Sequence, residues 1–377
     1  MSDETTKIAK SASRFRFQEL GLVMVIMGLG ALLTIFGGDV EVPKMQMNEF
    51  GELERMFTED ADGNREIVLE TKNKFLRAEN LTNLAKDASF IAIMAIGATF
   101  VIVAGQIDLS VGAIYALASV IGALVFHEFG PEGSLAEKAT WLGLSCGMLA
   151  CVTTATLCGL VNGSMVVALR VHPFIITLGT MAIYRGIAHV ITKGQSISNF
   201  PETFGTMIRG DASSELSLAP MIVMIVVTLI GVVYLGRLAS GRRIYAVGGN
   251  EEASRFSGIP VGRVKLGVFV IAGFTAGISS LLALGYYGSG SSGDGSGYEL
   301  DVIAAAVVGG ASLSGGRGSA LGAMLGAIII KMLDNGIIIL GINSDYSRII
   351  IGAAVILAVV FDQLNTWWAN RRSLMNT

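Results

Sequence analysis

Charge is scarce in this chain. Only 15% of its 377 residues are Asp, Glu, Lys or Arg, against about 25% in soluble proteins. With 52% hydrophobic residues and a mean hydropathy of +0.63, a single water-soluble domain would lack the polar surface to cover itself. The net charge of −3 gives no electrostatic footprint for nucleic acid. Cysteine is limited to Cys146, Cys151 and Cys158, all inside one apolar run and not spaced as a CxxC pair. They read as small packing residues. The three histidines, His127, His172 and His189, are scattered, so no metal site is expected. A GxxxxGK[ST] phosphate loop and an acidic calcium loop ending in glutamate are missing as well. No catalytic constellation stands out.

What the chain has instead is glycine and long oil. Its 48 glycines are nearly twice the ordinary share of about 7%, and glycine lets helix backbones approach closely in lipid. Apolar runs fall at 20–37, 89–104, 109–126, 141–168, 174–191, 219–236, 264–287, 300–313, 319–333 and 347–363. The expectation is an all-α membrane protein of about ten transmembrane helices. Several runs are shorter than the roughly 20 residues a full crossing needs. The pairs 89–104/109–126 and 300–313/319–333 therefore predict helices that break inside protein or against a cavity.

Basic residues orient the chain. With the N-terminus inside, the inner segments hold 14 Lys/Arg, and the short outer loops hold only Lys138, Lys193 and Arg209. Both termini are thus expected in the cytoplasm. The division runs as a tail over 1–19, a first span over 20–37, an acidic outer loop over 38–88, a transmembrane core over 89–365 with an inner loop at 237–263, and a cytoplasmic tail over 366–377. The 38–88 segment carries twelve Asp/Glu and seven Lys/Arg and reads as a water-exposed loop or small cap, with a turn at 60–64. The basic start followed by an apolar run reads as a signal anchor, because no small-residue cleavage site follows.

Four stretches carry polar chemistry. In Gly105–Gly112, Asp108 sits at membrane depth, where an ionisable group is a functional candidate; capping of a helix that begins at Leu109 is the alternative. Gln106 and Ser110 flank it. Asn162, Phe174, Thr177 and Thr180 are candidates for a polar path, against helix–helix hydrogen bonding as the structural reading; Pro173 fits a first helical turn and Arg170 an inner anchor. The glycine-rich 288–297 segment reads as a flexible outer loop ending at a helix start, with Glu299 and Asp301 in a first turn that complements the helix dipole. The densest charge in the second half lies at 241–260, with Arg242, Arg243, Asn250, Glu251, Glu252, Ala253, Arg255 and Gly258. This stretch reads either as a short helix and turn fitted to a cleft on another protein or as a solvated connection.

These motifs resemble a family. Gly105–Gly112, Asn162-Gly163 followed by Pro173–Thr180, Ala246–Asn250 running into Glu252-Ala253, and Gly297–Ala305 followed by Gly309-Gly310 and Gly315–Ser319 occur in order. Together they resemble the permease subunit of bacterial ABC importers of the ribose/galactose/xylose group over about residues 75–365. The resemblance implies a bacterial inner-membrane protein, a second copy of itself across one path, and a cytoplasmic ATP-binding subunit docked on the 241–260 loop. It also implies a periplasmic sugar-binding protein outside, with lipid around the helices. ATP and Mg would sit on the partner ATPase and no cofactor on this chain. Two departures stand out: the 38–88 loop is longer than the family leads one to expect, and His172 stands where a proline is common. A same-fold permease for branched-chain amino acids or nucleosides, an ion-coupled secondary transporter centred on Asp108, and a channel without an ATPase remain open at this level.

Overall fold

The computed structural model describes residues 2–48, 53–59, 65–136, 140–210, 217–353, 356 and 360. Helix α1 covers Ser2–Phe36, so the polar tail and the first apolar run form one helix. Then follow α2 (Ala78–Val103), α3 (Val111–Glu128), α4 (Thr140–Leu169), α5 (Pro173–Thr192), α6 (Glu202–Arg209) and α7 (Ala219–Arg237). Two short helices, α8 (Ala239–Gly249) and α9 (Glu251–Phe256), precede α10 (Val261–Tyr287), α11 (Tyr298–Val308) and α12 (Ala320–Ile339).

Eight of these helices are long and apolar enough to cross a membrane, against about ten apolar runs in the sequence. The run at 300–313 does not make a full span. Its helix, α11, has 11 residues, about 16 Å at 1.5 Å per residue, half of a hydrocarbon core of about 30 Å. The run at 347–363 lies only partly within the described residues, and the 366–377 tail and the 60–64 turn lie outside them.

Helix α2 is the axis of the bundle. Ninety-four per cent of its apolar window is buried, against 6% for α1, and α7, α10, α11 and α12 pack around it. Small residues set the tightest contacts. Gly159 and Gly163 on α4 and Gly273 and Gly277 on α10 each repeat at four-residue spacing, one helical turn. A Cβ at Gly159 would lie 2.3 Å from the Phe269 carbonyl oxygen, and one at Gly273 2.3 Å from that of Ala155. In lipid, where no hydrophobic effect drives helices together, such backbone-to-backbone packing supplies the association.

The segment after α1 is a branched β ribbon. Strands β1 (Asp39–Pro43) and β6 (Leu69–Asn73) pair antiparallel as a stem. Hairpins β2 (Met45–Met47) with β3 (Leu53–Arg55) and β4 (Phe57–Glu59) with β5 (Arg65–Ile67) branch from it. At the branch three equally spaced residues close a ring of backbone bonds. Lys44 N–H donates to Val68 at 2.8 Å, Met56 to Lys44 at 2.8 Å, and Val68 to Met56 at 2.9 Å. The ring satisfies the amides that three diverging ribbons would otherwise leave unpaired. Asn73 anchors the stem by donating to the Thr34 carbonyl at 2.8 Å.

Candidate translocation path and coupling elbow

Helix α2 ends in a Schellman turn. Gly105, at φ +73°, lets the amides of Gly105 and Gln106 reach back to the carbonyls of Ile102 and Val101. The chain then runs without helix to Ser110, the N-cap of α3. This break exposes backbone inside the protein, which is tolerated only where partners or a cavity receive it.

Around the break the structure gathers Gln106, Asp108, Ser110, Asn162 and Thr177. Asp108 is 5% exposed. Its Oδ1 accepts from the Ser110 N–H at 2.8 Å and the Ser110 hydroxyl at 2.6 Å. Asn162 donates to Ser110 Oγ at 2.7 Å, and the Tyr184 hydroxyl donates to Asn162 Oδ1 at 3.1 Å. Thr177 donates to the Ile107 carbonyl at 3.4 Å, and Thr180, one turn on, to Thr177. Four pieces of chain are thereby stitched together: the break, α3, α4 and α5. Phe174 is not among them, being 43% exposed. The expectation that Asp108 caps a helix starting at Leu109 is corrected. The helix starts at Val111, and Asp108 instead forms a turn with Ser110 just before it, because its Oδ1 reaches only the amide two residues on.

Among the described residues, three buried side-chain atoms lack a hydrogen-bond partner: Gln106 Oε1, Asp108 Oδ2 and Glu299 Oε2. All three are acceptors. Each unmet buried acceptor costs about 1–3 kcal/mol, more if charged. Glu299 approaches the start of α3, where a Cβ at Gly112 would sit 2.4 Å from its Oε2. The site thus offers acceptors to something that brings donors.

The 288–297 segment is not a flexible loop. Ile197 and Gly290 exchange backbone bonds at 2.8 Å. Asp294 accepts from Ser119 at 2.6 Å, and Arg185 donates to the carbonyls of Ser292 and Asp294 at 2.9 and 3.1 Å. Its glycines allow it to fold in against α3, so that Tyr298 meets Tyr115 edge-on at 5.5 Å. Glu299 and Asp301 lie in the first turn of α11, but Asp301 is also an ion-pair partner of Lys331 at 3.1 Å, and Lys331 reaches Asp334 at 2.9 Å. A second polar cluster joins Lys86 to the Tyr286 ring, 4.2 Å from its centroid, and Asp87 to the Tyr287 hydroxyl. Sequence reasoning passed over Arg185, Lys331 and Tyr184; a charge inside an apolar run was the available signal for the first two.

The 241–260 stretch forms an elbow. Asn250 links α8 to α9 in extended conformation and caps α9, its side chain accepting from the Ala253 N–H at 2.9 Å. Gly258 closes α9 with a Schellman turn at φ +78°. The charged residues divide by direction. Glu251 pairs with Lys265 of α10 at 2.8 Å and with Arg255 at 3.1 Å, while Glu252 is exposed and Phe256 is 83% exposed. Arg242 donates to the Arg237 carbonyl. On its other side, α8 touches the bundle without side chains between. A Cβ at Gly248 would lie 1.7 Å from the Val103 carbonyl oxygen and 2.7 Å from the Gly316 nitrogen, and one at Gly315 3.0 Å from the Gly105 Cα. Tyr245 donates to the Gly318 carbonyl at 2.7 Å. The elbow therefore rests directly on the end of α2 at Val103, five residues before Asp108.

Comparison with known proteins agrees with this architecture. Residues 80–359 match the family described as branched-chain amino acid transport system / permease component. The ribose import permease protein RbsC of Bacillus subtilis is 36% identical over 79% of this chain and 88% of its own length. The galactose/methyl galactoside import permease protein MglC of Haemophilus influenzae is 32% identical, with 79% and 90% covered. The D-allose transport system permease protein AlsC of Escherichia coli is 35% identical, with 77% and 85% covered. The chain belongs to this family of permease components: it is a multi-pass inner-membrane transport subunit.

Proposed function

We propose that this chain passes a monosaccharide inward as the membrane permease of an ATP-driven importer. A cytoplasmic ATP-binding subunit docks on α8–α9, a second copy of this chain completes the path, and a periplasmic binding protein delivers the sugar. ATP and Mg are bound by the partner, and this chain makes and breaks no covalent bond. Both termini and the elbow then lie in the cytoplasm, in keeping with the bias of basic residues.

One observation carries the reading: the solvent-exposed elbow is fastened to the broken helix by backbone contact at Gly248. When the ATPase moves α9, the Glu251–Lys265 pair draws α10 along, and Gly248 bears on the end of α2 and the break that holds Asp108. A packed interface of this kind responds by switching between two arrangements. The orphan acceptors of Gln106, Asp108 and Glu299 suit hydroxyl donors, as a sugar presents them.

The test is reconstitution of this chain with its ATPase and binding protein in proteoliposomes, adding monosaccharides and branched-chain amino acids singly. A rise in hydrolysis with one sugar, only with the binding protein present, is the expected result. A response to leucine but to no sugar would move the cargo to the amino-acid class. Uptake that survives without ATP would overturn the reading.

A further inference from the structure

A cavity of about 210 Å³ opens between the end of α7, the start of α8 and the start of α10. Its polar wall is Tyr234, Ser240, Arg243 and Arg263, and no acidic residue lines it. Among the described residues neither arginine makes an ion pair, whereas Arg255 and Lys265 nearby both do. Two like charges sharing a cavity repel each other, so the pair is poised for an anion. The backbone adds to this. The helix N-termini at Leu238 and Pro260 have no side-chain cap, leaving first-turn N–H groups and the positive ends of two dipoles on the same side.

The remaining wall is apolar, with Ile244 and Ile271 among its residues. Apolar surface continues along both flanking helices: Ile230 and Val233 on α7 are 61% and 47% exposed, and Phe274 on α10 is 46% exposed. A small hydrated phosphate has no use for that surface, but an acyl chain does. We infer that the cavity holds the phosphodiester headgroup of one anionic phospholipid between Arg243 and Arg263, with its acyl chains along the α7–α10 groove. This goes beyond the transport reading and does not depend on the cargo. The lipid would brace the hinge between the last turn of α7 and the elbow, on the inner leaflet, where basic pockets between helices meet anionic headgroups.

Native mass spectrometry of the purified full chain tests it, with phosphatidylglycerol and phosphatidylcholine as probes. The wild type is expected to hold one phosphatidylglycerol with at least about tenfold preference over phosphatidylcholine, a difference of about 1.4 kcal/mol. The double variant Arg243→Gln/Arg263→Gln should lose the preference, and Arg243→Lys/Arg263→Lys should keep part of it. Arg209→Gln, at the far end of α6, should leave it unchanged. Near-ultraviolet circular dichroism of each variant must match the wild type, so that loss of preference is not loss of fold. Absence of a preference in the wild type, or its persistence in the double glutamine variant, overturns the proposal. Displacement of the lipid by millimolar inorganic phosphate would also overturn it, assigning the cavity to a free anion.

Discussion

Alanine at Gly248 is predicted to uncouple transport from hydrolysis, and the neighbouring position supplies its own control. Both Gly248 and Gly249 lie at the end of α8. In a helix, glycine to alanine gains up to about 1 kcal/mol in propensity. At Gly249 nothing lies within 4 Å of the added carbon, so Gly249→Ala should be neutral or mildly stabilising. At Gly248 the added carbon would stand 1.7 Å from the Val103 oxygen. Restoring ordinary contact of about 3.5 Å pushes the end of α8 nearly 2 Å from the end of α2. Overpacking of this kind costs about 1–3 kcal/mol. The bond from Gly316 N–H to the Val103 carbonyl, 2.8 Å long, would add about 1 kcal/mol if lost. The clash therefore outweighs the propensity gain by about 1–3 kcal/mol. In proteoliposomes with the ATPase and binding protein, Gly248→Ala should lower sugar transported per ATP hydrolysed by at least about fivefold. Its melting temperature in detergent should also fall. Equal coupling in both variants would refute the argument that this contact transmits motion.

Other predictions follow from the polar groups. Asp108→Asn keeps one acceptor for Ser110 but turns the orphan oxygen into a donor; at about 1–3 kcal/mol, labelled-sugar uptake should fall roughly tenfold or more while the ATPase still co-purifies, and uptake within twofold of wild type would exclude this oxygen from the path. Lys331→Met leaves Asp301 and Asp334 without their cation. With Lys331 only 14% exposed, breaking such a pair costs about 3–5 kcal/mol, seen as a lower melting temperature that Asp301→Asn partly restores. Phe256→Ser removes an apolar side chain that is 83% exposed, so it should weaken co-purification of the ATPase while leaving the melting temperature unchanged.

How much of this was legible in the sequence varied with the physical signal. Long apolar runs announce helices, because lipid leaves the backbone no other way to satisfy itself; α4, α5, α7 and α10 follow from that alone. Gly105 and Gly258 mark turns because each needs a positive φ. The short run at 300–313 pointed to a helix that breaks inside protein, and α11 is such a half-length helix; only its place among ten spans was misjudged, since a half-length helix inside protein and a tilted span differ in tertiary surroundings and not in composition. The 288–297 segment looked like a loop because glycine and serine favour loops; Arg185 and Ser119, which pin it, are distant in sequence. Strand pairing between Asp39–Pro43 and Leu69–Asn73 was hidden behind a high density of charge and the length of chain between them. Of the path candidates, Asp108, Ser110 and Asn162 share a network because short polar side chains in an apolar run must find one another. Phe174 had no such constraint and faces outward.

The central claim is that the elbow receives the ATPase and passes its motion to the broken helix. Glu252 is exposed and makes no ion pair among the described residues, so reversing its charge spares the fold while opposing a docked partner. The direct measurement is ATP hydrolysis and labelled-sugar uptake in the same proteoliposomes carrying Glu252→Lys, with membrane insertion checked by protease protection. The account predicts normal insertion and loss of both stimulated hydrolysis and uptake. Wild-type uptake by that variant would contradict it.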